Sequence, residues 1–186
     1  MALQFKIQLL EVDNPPVWRR VVIPEHFTFM RFHHVIQEAF GWENSHLFLF
    51  SPEGWGSEPS IGMVNTEDPD DNTLDSKKIK LSRVFKKEGQ TYTYIYNMGD
   101  DWLHGIWLEK ITEEKLLKAD CLDGSGKCPP EDCGGSPGFE DFKRTMADPK
   151  HPEHKELKEW LGLSKRQKWN PEEFHLKKTQ SAVRAV

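Results

Sequence analysis

The sequence predicts an α+β fold with a mainly antiparallel sheet, built from two hairpins plus a strand, one packed N-terminal helix, and C-terminal helices. Three observations carry this. Segments with a two-residue apolar period come in adjacent pairs joined by turn residues; one strongly amphipathic helical pattern lies between the pairs; the remaining helical patterns gather near the end of the chain.

Gln4 to Glu11 reads as a strand, with Phe5, Ile7 and Leu9 alternating against Gln4, Lys6 and Gln8. Asp13-Asn14-Pro15-Pro16 is a turn, and Val17 to Ile23 is the returning strand of a first hairpin ended by Pro24. Thr28 can cap a helix whose apolar face is Phe32, Val35, Ile36, Ala39 and Phe40, with Gly41 placed to close it in the left-handed conformation. His46 to Phe50 suits a third strand. Residues 52 to 76 read as a long acidic loop. Asp68-x-Asp70-x-Asn72 imitates the start of a calcium loop, but Thr73 stands where that loop needs Gly and Ile79 where it needs the bidentate Glu.

Lys80 to Lys87 reads as a short helix carrying Leu81, Val84 and Phe85. Thr91 to Tyr96 is rich in β-prone residues, Asn97 to Asp101 is a turn, and Trp102 to Ile111 returns as the second hairpin. Beyond the cysteines, Phe139, Phe142 and Met146 share one helical face. Pro152 to Leu161 reads as a further helix with Gly162 past its end. Asn170-Pro171-Glu172-Glu173 offers the cap, first-turn Pro and acids of a last helix.

At 186 residues the chain is expected to form a single domain, residues 1–186, with 37% hydrophobic and 11% aromatic residues to fill a core. The net charge of −5 disfavours nucleic acid as a partner, since such binders carry a basic face. Apolar runs such as Leu47 to Phe50 are far too short for a membrane span, and the first residues alternate rather than forming the apolar core of a signal peptide, so a cytoplasmic location is expected.

All three cysteines lie in one Pro/Gly-rich stretch, Cys121-x6-Cys128-x4-Cys133. An odd number in one loop reads as reduced thiols or metal ligands rather than as a disulfide framework. Zinc is the cofactor this pattern suggests. It takes four ligands, so one of His104, His151 or His154 would complete the shell; the alternative is small buried side chains stabilising a turn. His151 and His154 share a metal only if both lie on the helix, and Pro152 makes His151 a capping residue instead. Asp100, Asp101 and His104 are the catalytic candidates: adjacent carboxylates with an imidazole can hold a hard metal or move protons. Turn aspartates equally serve as acceptors for backbone N–H groups.

Four blocks together resemble a known family. They are Pro15-Pro-Val-Trp-Arg-Arg20; Phe32 through Trp42 to His46; Tyr94-Ile-Tyr-Asn-Met-Gly-Asp-Asp-Trp-Leu-His104; and Cys128-Pro-Pro-Glu-Asp-Cys-Gly-Gly135 followed by His151-Pro-Glu-His154 and Trp160-Leu-Gly162. The chain resembles the plasmid (Ri-plasmid) ORF-three-like family, whose members also carry the label of a TnpR-type passenger of an insertion element. It departs from the family pattern at Asn97 and Met98, where Asp and Phe are usual, and at Leu103 and Gly105, where acidic residues are usual. The resemblance implies a globular interaction or accessory module associated with plasmids and mobile elements, with no demonstrated catalysis. The sequence names no partner; a protein is the candidate for a module of this kind. The competing classes are a metal-dependent hydrolase acting on phosphoesters and a nucleic-acid-binding protein. No resolvase-like Ser with clustered Arg is evident.

Overall fold

Strand β1 (Ala2–Leu9) is the spine of the sheet, because its alternating Phe5, Ile7 and Leu9 are fully buried while Gln4, Lys6 and Gln8 are not. In the computed structural model, which describes residues 1–186, β1 pairs antiparallel with β2 (Trp18–Pro24) on one side. Its other neighbour is β7 (Trp102–Thr112), also antiparallel. β7 in turn pairs with β6 (Thr91–Tyr96), so β1 joins the two predicted hairpins. The sheet continues through β3 (Phe48–Ser51), β4 (Ile61–Gly62) and β5 (Leu74–Asp75), and ends beyond β2 with β8 (Asp120–Ser125). The result is an eight-stranded, mostly antiparallel sheet in the order β5-β4-β3-β6-β7-β1-β2-β8, with one parallel pair, β4–β5.

Helix α1 (Phe29–Phe40) forms where the pattern placed it. Thr28 caps it, its hydroxyl accepting from the Arg31 N–H at 3.3 Å, and Gly41 closes it at φ +90°, a conformation that costs a residue without Cβ little. Its apolar stripe lies across the sheet: Phe32 packs on Phe5 of β1 and Phe50 of β3, and Phe40 meets the edge of His104 on β7. Helix α2 (Leu81–Val84) is a single turn; Phe85, just after it, closes this core against Phe5 and Tyr92.

Past β8, α3 (Gly135–Ala147) buries Phe139, Phe142 and Met146 on one face. Phe139 lies against Trp102, and both α3 rings meet Trp169 edge-on. Helix α4 (His154–Trp160) starts later than Pro152, and α5 (Leu176–Val183) covers β8. No helix is long and apolar enough to cross a membrane.

Three local readings are corrected. The cysteine stretch contains a strand, β8, which forms because Val21 and Val22 of β2 offer an unpaired edge. The acidic loop of residues 52 to 76 contributes the short β4 and β5. Asn170 to Glu173 is a turn rather than a helix start. Asn170 Oδ1 does accept from the Glu172 N–H at 3.0 Å, but no helix follows the turn: the Pro171 carbonyl accepts from the Lys127 N–H at 2.7 Å, and the helix begins at Leu176.

Candidate metal centre at the junction of two loops

Two of the sequence blocks meet in space. The turn between β6 and β7 lies against the Cys128–Gly135 loop, and the segment leaving α1, residues 42 to 46, lies against both.

The turn is organised by Asn97, at φ +57°, whose Oδ1 accepts from the Gly99 and Asp100 N–H groups at 3.1 and 3.3 Å. Asp100 then reaches across the junction, its Oδ2 accepting from the Gly134 N–H at 3.3 Å. The fit is close on the other side as well. A Cβ on Gly135, which sits at φ +66°, would lie 2.5 Å from the Asp100 carbonyl oxygen, so only glycine allows this approach. Asp101 turns away, to accept from Trp55 Nε1 at 2.7 Å on the exposed side.

His104 faces the core and is fully buried. Its Nε2 takes the Trp42 indole N–H at 3.4 Å, and an indole only donates, so the imidazole proton sits on Nδ1 and goes to the Trp102 carbonyl at 3.0 Å. Burial pushes its pKa down to about 4, so it is neutral at neutral pH. Asp100, Asp101 and His104 therefore do not face a common point.

The three cysteines form no cluster of close ligand atoms with one another and a histidine. Cys121 lies on β8, fully buried, its thiol directed at the Asp123 carbonyl; Cys128 and Cys133 are half-buried, and all three are free. Burial pushes the Cys121 thiol up to about 11 and Cys133 up to about 12, and raises Cys128 well above its ordinary value, so these side chains are thiols rather than thiolates at neutral pH. His151 precedes α4, its Nδ1 accepting from the Glu153 N–H at 3.3 Å, a capping geometry, and His154 is the first residue of the helix. Neither histidine joins the thiols in a cluster of close ligand atoms.

The residues that do converge went unnoticed as a set in the sequence. His46, Glu131 and Asp132 present ligand-type atoms that all lie within 4.8 Å of one another. His46 Nε2 is 3.0 Å from Asp132 Oδ1 and 3.7 Å from Glu131 Oε2. Glu131 is anchored through its other oxygen, Oε1, which accepts from the Glu43 N–H at 2.7 Å and from the Tyr96 hydroxyl at 3.0 Å. The Tyr96 oxygen in turn accepts from the Ser45 N–H. Asp132, at φ +55°, takes Asn97 Nδ2 at 3.3 Å. The one sequence signal was that His46 closes one motif block and the acidic pair sits inside another.

Arg19 fixes the cysteine loop from below. Its guanidinium is buried and touches no carboxylate. Instead it donates to the carbonyls of Ala39, Trp18, Ser125 and Gly126 at 2.7–3.0 Å, between the rings of Phe40 and Phe174. This ties the end of α1 to the strand that leads into the loop. Above it opens a cleft of about 860 Å³ between α1, the cysteine loop and the C-terminal helices, with Trp160, Trp169 and Phe174 on its wall and Glu43, Glu131 and Asp132 at its lip.

A family model described as plasmid pRiA4b ORF-3-like protein matches residues 1–178. The chain is 36% identical over 169 residues to the uncharacterized protein y4hQ of Sinorhizobium fredii (strain NBRC 101917 / NGR234), covering 88% of this chain and 82% of that one. Among solved structures it is similar to the protein of unknown function MM3350 from Methanosarcina mazei Go1, with a TM-score of 0.78 and 30% identity over 95% of this chain and 96% of that one. None of these names assigns a reaction.

Proposed function

This chain belongs to the plasmid pRiA4b ORF-3-like family, and we propose that it works as a non-catalytic interaction module, its partner a protein segment seated in the cleft beside the cysteine loop. The observation that carries this reading is the contrast between the two sides of the junction. The groups with reactive potential, His104 and the three thiols, are neutral and mostly buried, while the accessible side is a large cleft whose wall is aromatic. Half-exposed Trp160 is the kind of side chain that anchors a bound segment.

The charge of the cleft supports a protein segment bearing a cationic side chain beside an apolar one. Of its basic residues, Arg19 is saturated by carbonyls, Lys127 is paired with Glu173 and Lys178 is exposed without an ion-pair partner, and they are outnumbered by Glu38, Glu43, Glu131, Asp132 and Glu173 in the same lining. Such a surface repels phosphates, which counts against the nucleic-acid and phosphoesterase readings alike. Free cysteines support a reducing, cytoplasmic compartment. Zinc bound by this chain would be a clip between loops rather than a Lewis acid for hydrolysis.

The test compares affinity capture by the wild type, Trp160→Ala and Glu43→Lys, with melting temperatures measured in parallel. A partner held by the wild type and lost by both variants at unchanged stability supports the module. A partner held equally by all three, or phosphoester turnover abolished by Asp100→Asn, overturns it.

A further inference from the structure

We propose that His46, Glu131 and Asp132 form a binding site for a divalent transition cation of the zinc type, which clips the segment leaving α1 to the cysteine loop. The inference deepens the clip named above by giving its ligands, and it does not depend on what fills the cleft.

Geometry is the first support. A tetrahedral zinc ion with nitrogen and oxygen ligands at about 2.0–2.2 Å sets its donors about 3.3–3.6 Å apart. The separations of His46 Nε2 from the two carboxylate oxygens, 3.0 and 3.7 Å, bracket that range. All three ligand atoms lie within 4.8 Å of one another, so small side-chain adjustments bring them round one ion.

Unmet hydrogen bonding is the second support, and it is independent of the first. His46 Nε2 and Glu131 Oε2 are shielded from solvent, yet neither makes a hydrogen bond. The approach of Nε2 to Asp132 Oδ1 is short but lacks hydrogen-bond direction. A buried polar atom left without a partner is destabilising, because it has given up its hydrogen bonds to water. A cation satisfies both atoms at once, and its charge balances the two carboxylates.

The surroundings supply the third. Metal-bound carboxylates are held by further hydrogen bonds that fix their direction. Glu131 has these on the oxygen that faces away from His46, from Tyr96 and the Glu43 backbone, and Asp132 has one from Asn97. Imidazole with two carboxylates suits zinc and its neighbours better than calcium, which prefers oxygen alone. Asp132 is mostly exposed, so the remaining coordination positions open to water. The site differs from the cysteine-based one suggested by sequence, in which thiols would be the ligands.

The experiment uses the full chain stripped with chelator and then titrated with zinc by calorimetry, with cobalt as a spectroscopic probe. The wild type should take up one ion, and its melting temperature should rise with zinc. His46→Gln and Asp132→Asn should each weaken uptake by about 100-fold or more, beyond the range seen for outer-shell partners. Asp132 is exposed, so its variant should melt as the wild type does without metal. Cys133→Ala should keep the affinity, and the cobalt form should lack a thiolate charge-transfer band. Absence of uptake by the wild type, unchanged affinity in both ligand variants, or a thiolate band would each overturn the proposal. A failed clip leaves the partner-capture result standing, and a failed capture leaves the clip standing.

Discussion

Acid should destabilise this protein well above the range where carboxylates titrate, through two buried histidines. His104 accepts from an indole that can only donate. His33 is one member of a closed ring: Gln37 Nε2 donates to the Tyr94 oxygen, the Tyr94 hydroxyl to His33 Nδ1, His33 Nε2 to Asn44 Oδ1, and the Asn44 N–H to Gln37 Oε1. Protonating His104 at its accepting nitrogen sets a donor against a donor in the core, and protonating His33 turns the Tyr94 hydroxyl from donor to acceptor and leaves its proton without a partner. Burial accordingly lowers both from 6.5 to about 4. The unfolded chain protonates these groups first, so the stability they allow is complete above pH 6.5 and is lost as pH falls toward 4. Each shift is 6.5 − 4 = 2.5 units, or about 3.4 kcal/mol in full at about 1.4 kcal/mol per unit. By pH 5 the loss is about 2 kcal/mol per histidine, and the pair together removes a large part of a typical stability of about 5–15 kcal/mol. Half-buried His34 is lowered as well and adds in the same sense. The lowered carboxylates, Glu109 and Glu173 among them, act only below their ordinary values near 4.5 and so leave this window clear. Urea unfolding at half-unit steps from pH 7 to 5 should show stability falling with the uptake of about two protons, and His104→Gln should reduce that slope by about one proton. A flat profile, or a folded-state His104 titrating near 6.5 by NMR, would refute the reasoning.

Gly135→Ala should cost about 1–3 kcal/mol, because it combines φ +66° with a Cβ 2.5 Å from the Asp100 carbonyl; an unchanged melting temperature would show that the two loops are not held together there. Phe40→Ala should cost about 3–5 kcal/mol, since its ring is buried between His104 and Arg19, and a loss under about 1 kcal/mol in denaturant melts would contradict that packing. Asp101→Asn should change stability by less than about 0.5 kcal/mol and leave metal content unaltered, because Asn tolerates φ +53° and can still accept from Trp55; a fall in metal content would place Asp101 in the site. Thiol titration of denatured, unreduced protein should find three free groups, where an intramolecular disulfide would leave one.

The hairpins and α1 were legible because their signals are local. A two-residue period fixes which face of β1 is buried, and Thr28 and Gly41 mark the ends of α1 within one turn of each. What failed to show was decided at a distance. Asp120 to Ser125 carries Gly and Asp that read as loop, and becomes a strand only because β2 lies open beside it. The Asn170-Pro171 cap signal is real, yet contacts of the following residues override it: Phe174 lies on the Arg19 guanidinium, and a Cβ on Gly124 would lie 2.7 Å from the same ring. The candidate site is a harder case still. His46 and the Glu131-Asp132 pair belong to separate motif blocks, and nothing in their spacing says that the chain brings them within one ion's reach. The cysteines stood out because their rarity makes them conspicuous, whereas their burial, which keeps them thiols, is invisible in a sequence.

The two polar groupings around the exit of α1 differ in a way that separates scaffold from site. In the ring of Gln37, Tyr94, His33 and Asn44, each of the four hydrogen bonds passes to the next member and the circuit closes. A buried network satisfied in this way rigidifies what it joins, here α1 and its exit segment to β6. It has nothing left to offer a ligand. Two residues beyond Asn44 the chain reaches His46, where the arrangement is the reverse: a ring nitrogen and a carboxylate oxygen are shielded from water, directed at each other's neighbourhood, and unbonded. A fold that closes one circuit to hold this segment, and leaves the next group open at its end, spends the rigidity of the first on the placement of the second. On the proposal that His46 holds a cation, Tyr94 and His33 would act as positioning residues, fixing through Asn44 the segment that carries His46.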